Sequence, residues 1–166
     1  PNYNSSGLTD AKIPDAQAGW EKAMTTMLAA MGGSNYVHHA AGMLNCMITV
    51  AHEQFVIDDE IIGLSCKVLA GIPTDPEHLA LDVIDAAARG ADFIKSAHTM
   101  KYMKTEYFNG NGVTDTKNLD KWINAGSLDA WKRARDIAKK ILGRSTADCM
   151  PAEVDAAIRK KYDIRL

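Results

Sequence analysis

The feature that most limits the fold of this chain is its small number of strand candidates among many helical segments. The best strand candidate, residues 36–39, is short and follows a helical segment closely, and residues 1–14 and 93–94 offer two weaker ones. One or two strands do not form a stable sheet by themselves. Alternation of strand and helix in the first half, followed by helices, is typical of the tail of an α/β protein.

Capping residues and apolar spacing predict six helices. The first follows an Asp15 cap and ends at Gly32, and the second covers about residues 51–70. The third has the clearest start, with Asp75 as cap and Pro76 at the first helical position, and it is predicted to continue to Gly90. The others are predicted to end at Gly126, to run from a Ser127 cap to Gly143, and to begin at Pro151 with Val154, Ile158 and Tyr162 buried.

Charge and hydropathy argue against several classes of partner. The formal net charge of −2 gives no basic surface for nucleic acid, and no polybasic run favours an anionic membrane. No apolar stretch is long enough to span a bilayer. Three widely separated cysteines, Cys46, Cys66 and Cys149, predict reduced thiols in a cytoplasmic protein. A chain that opens at Pro1 is expected to be processed or cut from a longer one.

Four segments, in order along the chain, resemble the trimethylamine methyltransferase family. They are residues 7–22 (GLTDAKIPDAQAGWEK), 39–44, 53–61 and 98–99, and the likeness runs to about residue 142. The resemblance implies a (β/α)₈ barrel, which needs roughly 250 residues. We therefore expect residues 1–100 to form the last barrel strands and helices, and residues 101–166 to form a C-terminal helical extension.

The resemblance also implies a reaction and its partners. A methyl group would move from trimethylamine to the cobalt(I) of a corrinoid carried by a separate protein, so this chain would bind no cofactor directly. The N-terminal remainder of the same subunit would complete the barrel, and a homo-oligomer is expected. Some members contain pyrrolysine, expected at or just before residues 4–7, where the sequence has none. Either the chain begins after it, or the protein resembles the glycine betaine methyltransferases that lack it.

A competing class is a non-catalytic helical interaction module. Its support is the helix-dominated second half, which contains Trp122 and Trp131. The two classes predict different structures for the first 50 residues. A right-handed parallel strand–helix–strand unit would favour the barrel, whereas an antiparallel helical bundle would favour the module.

Seven residues are candidates for the site. Asp10 and Lys12 follow a probable barrel strand, where loops build active sites, and Glu53 is the acid of the 53–60 helix nearest a strand-end loop. These three are the catalytic candidates, with a solvated surface as the alternative. The candidates for substrate binding are Gln17, His98, Tyr3 and Tyr36, and the two tyrosines together with Tyr102 are considered for an aromatic cage around a methylated ammonium.

The histidines predict no zinc site. His52-Glu53 lacks a second histidine four residues on, because position 56 is Val56. Adjacent residues of a strand point to opposite faces, so His38 and His39 are not expected to share an ion.

Overall fold

Four short strands form two separate two-stranded sheets in this computed structural model, which describes residues 1–144 and 150–163. β1 (Tyr3–Ser5) and β2 (Tyr36–His38) are parallel, with Tyr3 opposite Tyr36 and Ser5 opposite His38. β3 (Met43–Leu44) and β4 (Thr49–Val50) form an antiparallel hairpin. The hairpin was not predicted, because two-residue strands leave no alternation in the sequence.

The first helix connects the two parallel strands. α1 (Ala16–Met31) begins where the Asp15 carboxylate accepts a hydrogen bond from Ala18 N at 3.1 Å, and it ends at Gly32 as predicted. Residues 1–38 therefore form a parallel β–α–β unit. This arrangement is not the antiparallel helical bundle that the interaction module predicts.

The second helix lies at the centre of the packing. α2 (His52–Leu69) contacts α1 on one side and α7 (Ala130–Leu142) on the other. Val56 packs with residues of the second half of the chain, including Val113 and Ala134. The Glu60 carboxylate accepts hydrogen bonds from the backbone N–H groups of Val113 and Thr114 at 3.1 and 2.9 Å. The segment after residue 101 is thus attached to α2 by both apolar and polar contacts.

Residues 75–103 differ from the predicted single helix and short strand. Asp75 caps α3 (Pro76–Leu79) as predicted, but Ala80 adopts a left-handed φ of 49° and separates it from α4 (Leu81–Ala88). The predicted strand at 93–94 is wrong. Phe93–Lys95 is a 3₁₀ helix. The Asp92 carboxylate accepts a hydrogen bond from Ile94 N, and this cap favours a turn over an extended strand. α5 (Ala97–Tyr102) follows.

The last predicted helices are present with different starts and burial. α6 (Leu119–Asn124) precedes Ser127, which has a φ of 52° and caps nothing; Asp129 caps α7 instead, accepting from Lys132 N at 2.8 Å. α8 (Ala152–Lys161) follows Pro151, but its predicted burial is wrong, since Val154 and Tyr162 are exposed. Cys46 and Cys66 are free and exposed, and Cys149 lies outside the described residues.

One row of large apolar side chains on α1 is uncovered. Trp20, Met24, Leu28 and Met31 recur on one side of the helix and are each 60–65% exposed. A compact bundle with its apolar residues buried would not leave such a row. Along residues 1–144 and 150–163, no helix is both long and apolar enough to cross a membrane.

Candidate functional site

The two predicted tyrosines meet on the parallel strands. Tyr3 and Tyr36 are opposite each other in the strand register, and their rings stack with centroids 5.8 Å apart. Side chains two residues apart in a strand share a face, so His38 lies on the same side, with its Nδ1 2.6 Å from Tyr3 Oη. We call Tyr3, Tyr36 and His38 the aromatic face. Both tyrosines are more than half exposed, so part of each side chain is accessible to solvent.

The two adjacent histidines do not point apart. The rings of His38 and His39 stack with centroids 3.4 Å apart, and the prediction of opposite faces is wrong. The reason is that β2 ends at His38, and His39 turns into the left-handed region with a φ of 66°. Ser5 Oγ lies 3.1 Å from His39 Nδ1. No group of three or more histidine, cysteine or acidic side chains suited to a metal ion occurs within residues 1–144 and 150–163.

A glutamate that was not predicted organises the loop after β1. Glu21 accepts hydrogen bonds from Thr9 Oγ1 at 2.6 Å, from Asp10 N at 2.9 Å and from Gln17 Nε2 at 2.9 Å. These donors, with Thr9 the largest influence and Gln17 next, hold the pKa of Glu21 below its usual value. Lys12 Nζ donates to the carbonyl oxygen of Asp10 at 2.7 Å. Gln17 is therefore engaged by Glu21, whereas the Asp10 carboxylate is exposed beside it.

An open pocket of about 470 Å³ adjoins this loop. Thr9, Asp10 and Glu21 supply its polar wall, and Trp20 and Met24 from the uncovered row of α1 supply much of its apolar wall. Cys46 also lines it. The stacked tyrosines are not among its walls, so the pocket and the aromatic face are separate features.

Glu53 lies at the start of α2 and is paired with α7. Its Oε1 accepts a hydrogen bond from Arg135 Nε at 3.1 Å, and the Arg135 guanidinium lies 5.7 Å from the Trp131 ring centre. The pKa of Glu53 is held below its usual value, first by a hydrogen bond from its own backbone N–H and then by Arg135. This N–H is in the first turn of the helix, where backbone N–H groups have no carbonyl partner within the helix. Glu53 is an ionised carboxylate in a partly exposed position.

His98 belongs to a different part of the chain. It lies on α5, where Nε2 is 2.9 Å from the carbonyl oxygen of Glu77 and its ring is 4.6 Å from that of Tyr102. It makes no ring contact with the aromatic face. The structure therefore brings Tyr3 and Tyr36 together, groups Asp10, Lys12 and Gln17 around Glu21, and leaves His98 with α3 and α5.

Comparison with known proteins gives the family. The family model described as trimethylamine methyltransferase matches residues 1–165. This chain belongs to that family. The match extends beyond residue 142, where the resemblance seen in the sequence ended, and includes α8.

The relatives of this family member include proteins named glycine betaine methyltransferase and proteins named trimethylamine methyltransferase. A glycine betaine methyltransferase of Desulfitobacterium hafniense strain Y51 is 33% identical over 159 residues, 96% of this chain and 33% of the relative. Trimethylamine methyltransferase MttB of D. hafniense strain DCB-2 is 34% identical over 159 residues, 96% and 32%. MttB2 of Methanosarcina mazei is 35% identical over 154 residues, 93% and 30%. The chain spans about a third of the length of these relatives.

Two structural features of this family member were not predicted from its sequence. The first is the position of His38 on the aromatic face, although His38 is two residues after Tyr36 on a strand and this spacing predicts that both side chains lie on the same face. The buried ion pair between Lys22 on α1 and Asp58 on α2 was not predicted at all. No local spacing indicates that a lysine and an aspartate 36 positions apart will meet.

Proposed function

We propose that this chain is the C-terminal part of a methyltransferase that moves a methyl group from a methylated amine to the cobalt(I) of a corrinoid carried by a partner protein. Family membership supports the reaction class. The feature of this chain that supports the substrate class is the aromatic face, because stacked tyrosine rings attract a methylated ammonium through their π faces. Trimethylamine is the first candidate substrate, and glycine betaine is the alternative.

The parallel β–α–β unit supports a place in a (β/α)₈ barrel. In such barrels the loops at the carboxyl ends of the strands build the active site, and the loops after β1 and β2 contain Asp10, Lys12 and His39. The uncovered row of α1 that contains Trp20 is suited to packing against a neighbouring element of the same barrel. The N-terminal remainder of the subunit would supply that element.

The chemistry requires positive charge on the amine nitrogen. A neutral amine is a poor leaving group, whereas a quaternary or protonated nitrogen departs as a neutral amine once its methyl group is transferred. The corrinoid supplies the nucleophile. This chain would bind the cation over Tyr3 and Tyr36, and the ionised carboxylate of Glu53 would favour the positive charge, with Asp10 as a second acidic side chain on the loop after β1.

Methyl transfer tests the proposal directly. The full-length protein, mixed with its reduced corrinoid partner and trimethylamine, should change the corrinoid absorption spectrum as cobalt(I) is consumed. Residues 1–166 alone should demethylate no amine. Glycine betaine in the same assay distinguishes the two substrates. A full-length protein that methylates no corrinoid with any methylated amine would show the assignment to be wrong.

Replacement of Tyr36 should weaken substrate binding. Tyr36→Ala removes one ring of the stack, and loss of a cation–π contact worth about 0.5–2 kcal/mol should raise the dissociation constant roughly 2- to 30-fold. Calorimetric titration of the full-length protein with the methylated amine measures it. Tyr107→Ala, at a tyrosine that is 75% exposed and outside the aromatic face, is the control. Equal effects from both replacements would exclude the aromatic face as the binding site.

Replacement of Glu53 tests whether its carboxylate acts in methyl transfer or only pairs with Arg135. Glu53→Gln should slow methyl transfer by about a hundredfold if the carboxylate keeps the amine positively charged in a site that the rest of the subunit closes to water. The ion pair with Arg135 offers a different explanation for this residue, and Arg135→Gln removes it while leaving the carboxylate in place. A reduced rate of methyl transfer in Glu53→Gln, with an unchanged rate in Arg135→Gln, supports a catalytic role for the Glu53 carboxylate. An unchanged rate in Glu53→Gln removes this residue from the site.

A further inference from the structure

A fully buried ion pair lies below the loops that follow the two parallel strands. Lys22 Nζ and Asp58 Oδ2 are 3.1 Å apart, and the two side chains are 0% and 1% exposed. A buried charge is costly unless it is paired and hydrogen-bonded, and apolar residues often fill such a space with equal or greater stability. Stability alone is therefore a weak reason for a lysine and an aspartate here.

Both charged groups also bind the backbone of the loops. Lys22 Nζ donates to the carbonyl oxygens of Gly7 at 2.5 Å and Met43 at 3.1 Å. Asp58 Oδ2 accepts from Gly42 N at 2.7 Å, while Gln54 Nε2 donates to Asp58 Oδ1 at 2.8 Å. Gly7 follows β1, Gly42 follows β2, and Met43 is the first residue of β3. The pair thus ties two loops, α1 and α2 to one point.

The aromatic face is directly connected to these loops. Ser6 N donates to the carbonyl oxygen of His38 at 3.2 Å, one residue before Gly7. Ser5 Oγ is 3.1 Å from His39 Nδ1, three residues before Gly42. A shift of Gly7 relative to Gly42 would therefore alter the strand-end contacts of His38 and His39.

We propose that Lys22 and Asp58 are positioning residues for the aromatic face. Charge-assisted hydrogen bonds are short and directional, so the pair fixes two carbonyl groups and one N–H where an apolar pair would only fill space. The strand ends are thereby held in register, and His38 keeps its place beside Tyr3. The identity of the ligand bound by the aromatic face depends on the proposed function, whereas the positioning of its rings does not.

Three variants of the full-length protein test this role. They are Lys22→Met, Asp58→Asn and the double variant, which leaves no lone buried charge. Lys67→Met is the control, because Lys67 is on α2 and pairs with Glu106 at 3.5 Å in an exposed position. Two properties are measured well below each thermal midpoint: the ring NMR signals of ¹³C-labelled histidines, and the calorimetric dissociation constant for tetramethylammonium.

The expected result is a shift of the His38 and His39 signals and a dissociation constant raised about 2- to 30-fold in the Lys22 and Asp58 variants, the range expected for loss of a cation–π contact. Lys67→Met should change neither. Folded variants with unchanged histidine signals and unchanged binding would overturn the positioning role, and so would failure of all three to fold, which would assign the pair to stability. If the unmodified protein does not bind the probe, the proposed ligand is wrong, and the histidine signals alone decide the positioning.

Discussion

Replacing Lys22 by methionine should lower the free energy of unfolding by about 3–5 kcal/mol, because Asp58 would remain as a buried carboxylate without its counter-charge. Burial already raises the pKa of Asp58 even with the lysine present. The hydrogen bonds from Lys22 Nζ to Gly7 and Met43 would be lost as well. Urea-induced unfolding, monitored by circular dichroism, measures this change in the free energy of unfolding.

Two further variants define the source of that loss. Lys67→Met removes an exposed ion pair and should change the free energy of unfolding by less than about 0.5 kcal/mol. The double variant Lys22→Met/Asp58→Asn removes both charges and should be more stable than Lys22→Met alone. A Lys22→Met variant that loses less than about 1 kcal/mol would contradict a fully desolvated pair.

Gly7→Ala should be strongly destabilising, with a loss of about 2–5 kcal/mol in the free energy of unfolding. Gly7 has a φ of +72°, where a side chain costs roughly 1–2 kcal/mol. An added Cβ would also lie 2.9 Å from Ala40 Cα and 2.7 Å from Thr26 Oγ1, and such overpacking costs about 1–3 kcal/mol. The backbone of Ala40 belongs to the other strand-end loop, so it does not move away freely.

A second glycine provides the matched control for this prediction. Gly71 has a φ of +69° but no neighbouring atom within 4 Å of an added Cβ. Gly71→Ala should therefore show the conformational cost alone, about 1–2 kcal/mol. Thermal or urea unfolding of both variants separates strain from steric overlap. Equal losses would mean that the loops after β1 and β2 are not closely packed.

Helix starts were predicted correctly where a local signal sets them. Asp15 and Asp75 cap helices because a carboxylate satisfies N–H groups two or three residues away, and this needs no tertiary contact. Ser127 was the wrong cap because Asp129, two residues later, competes for the same role. The predicted strand at 93–94 is wrong because the Asp92 carboxylate caps the Phe93–Lys95 turn.

The sequence indicates the two strands of the aromatic face but not their pairing. Tyr3 and Tyr36 each lie in a short segment with strand character, and only the structure shows that the strands are neighbours and that the two rings stack. The hairpin after β2 could not be predicted, since Cys46 and Met47 follow Asn45 in the left-handed region, with positive φ angles that cysteine and methionine do not favour. Backbone hydrogen bonds from Asn45 N to Ala11 and from Cys46 N to Thr9 accompany this turn.

The sequence by itself determined the family, the helix-rich character and most of the helix starts, because caps, apolar spacing and motif order are encoded over a few residues. Only the tertiary structure decided that Glu21 organises the loop after β1, that Arg135 pairs with Glu53, and that Lys22 meets Asp58 below the strand ends. These contacts join helices far apart in the chain. Their partners are selected by burial and by the need to satisfy a desolvated charge, which no local spacing records.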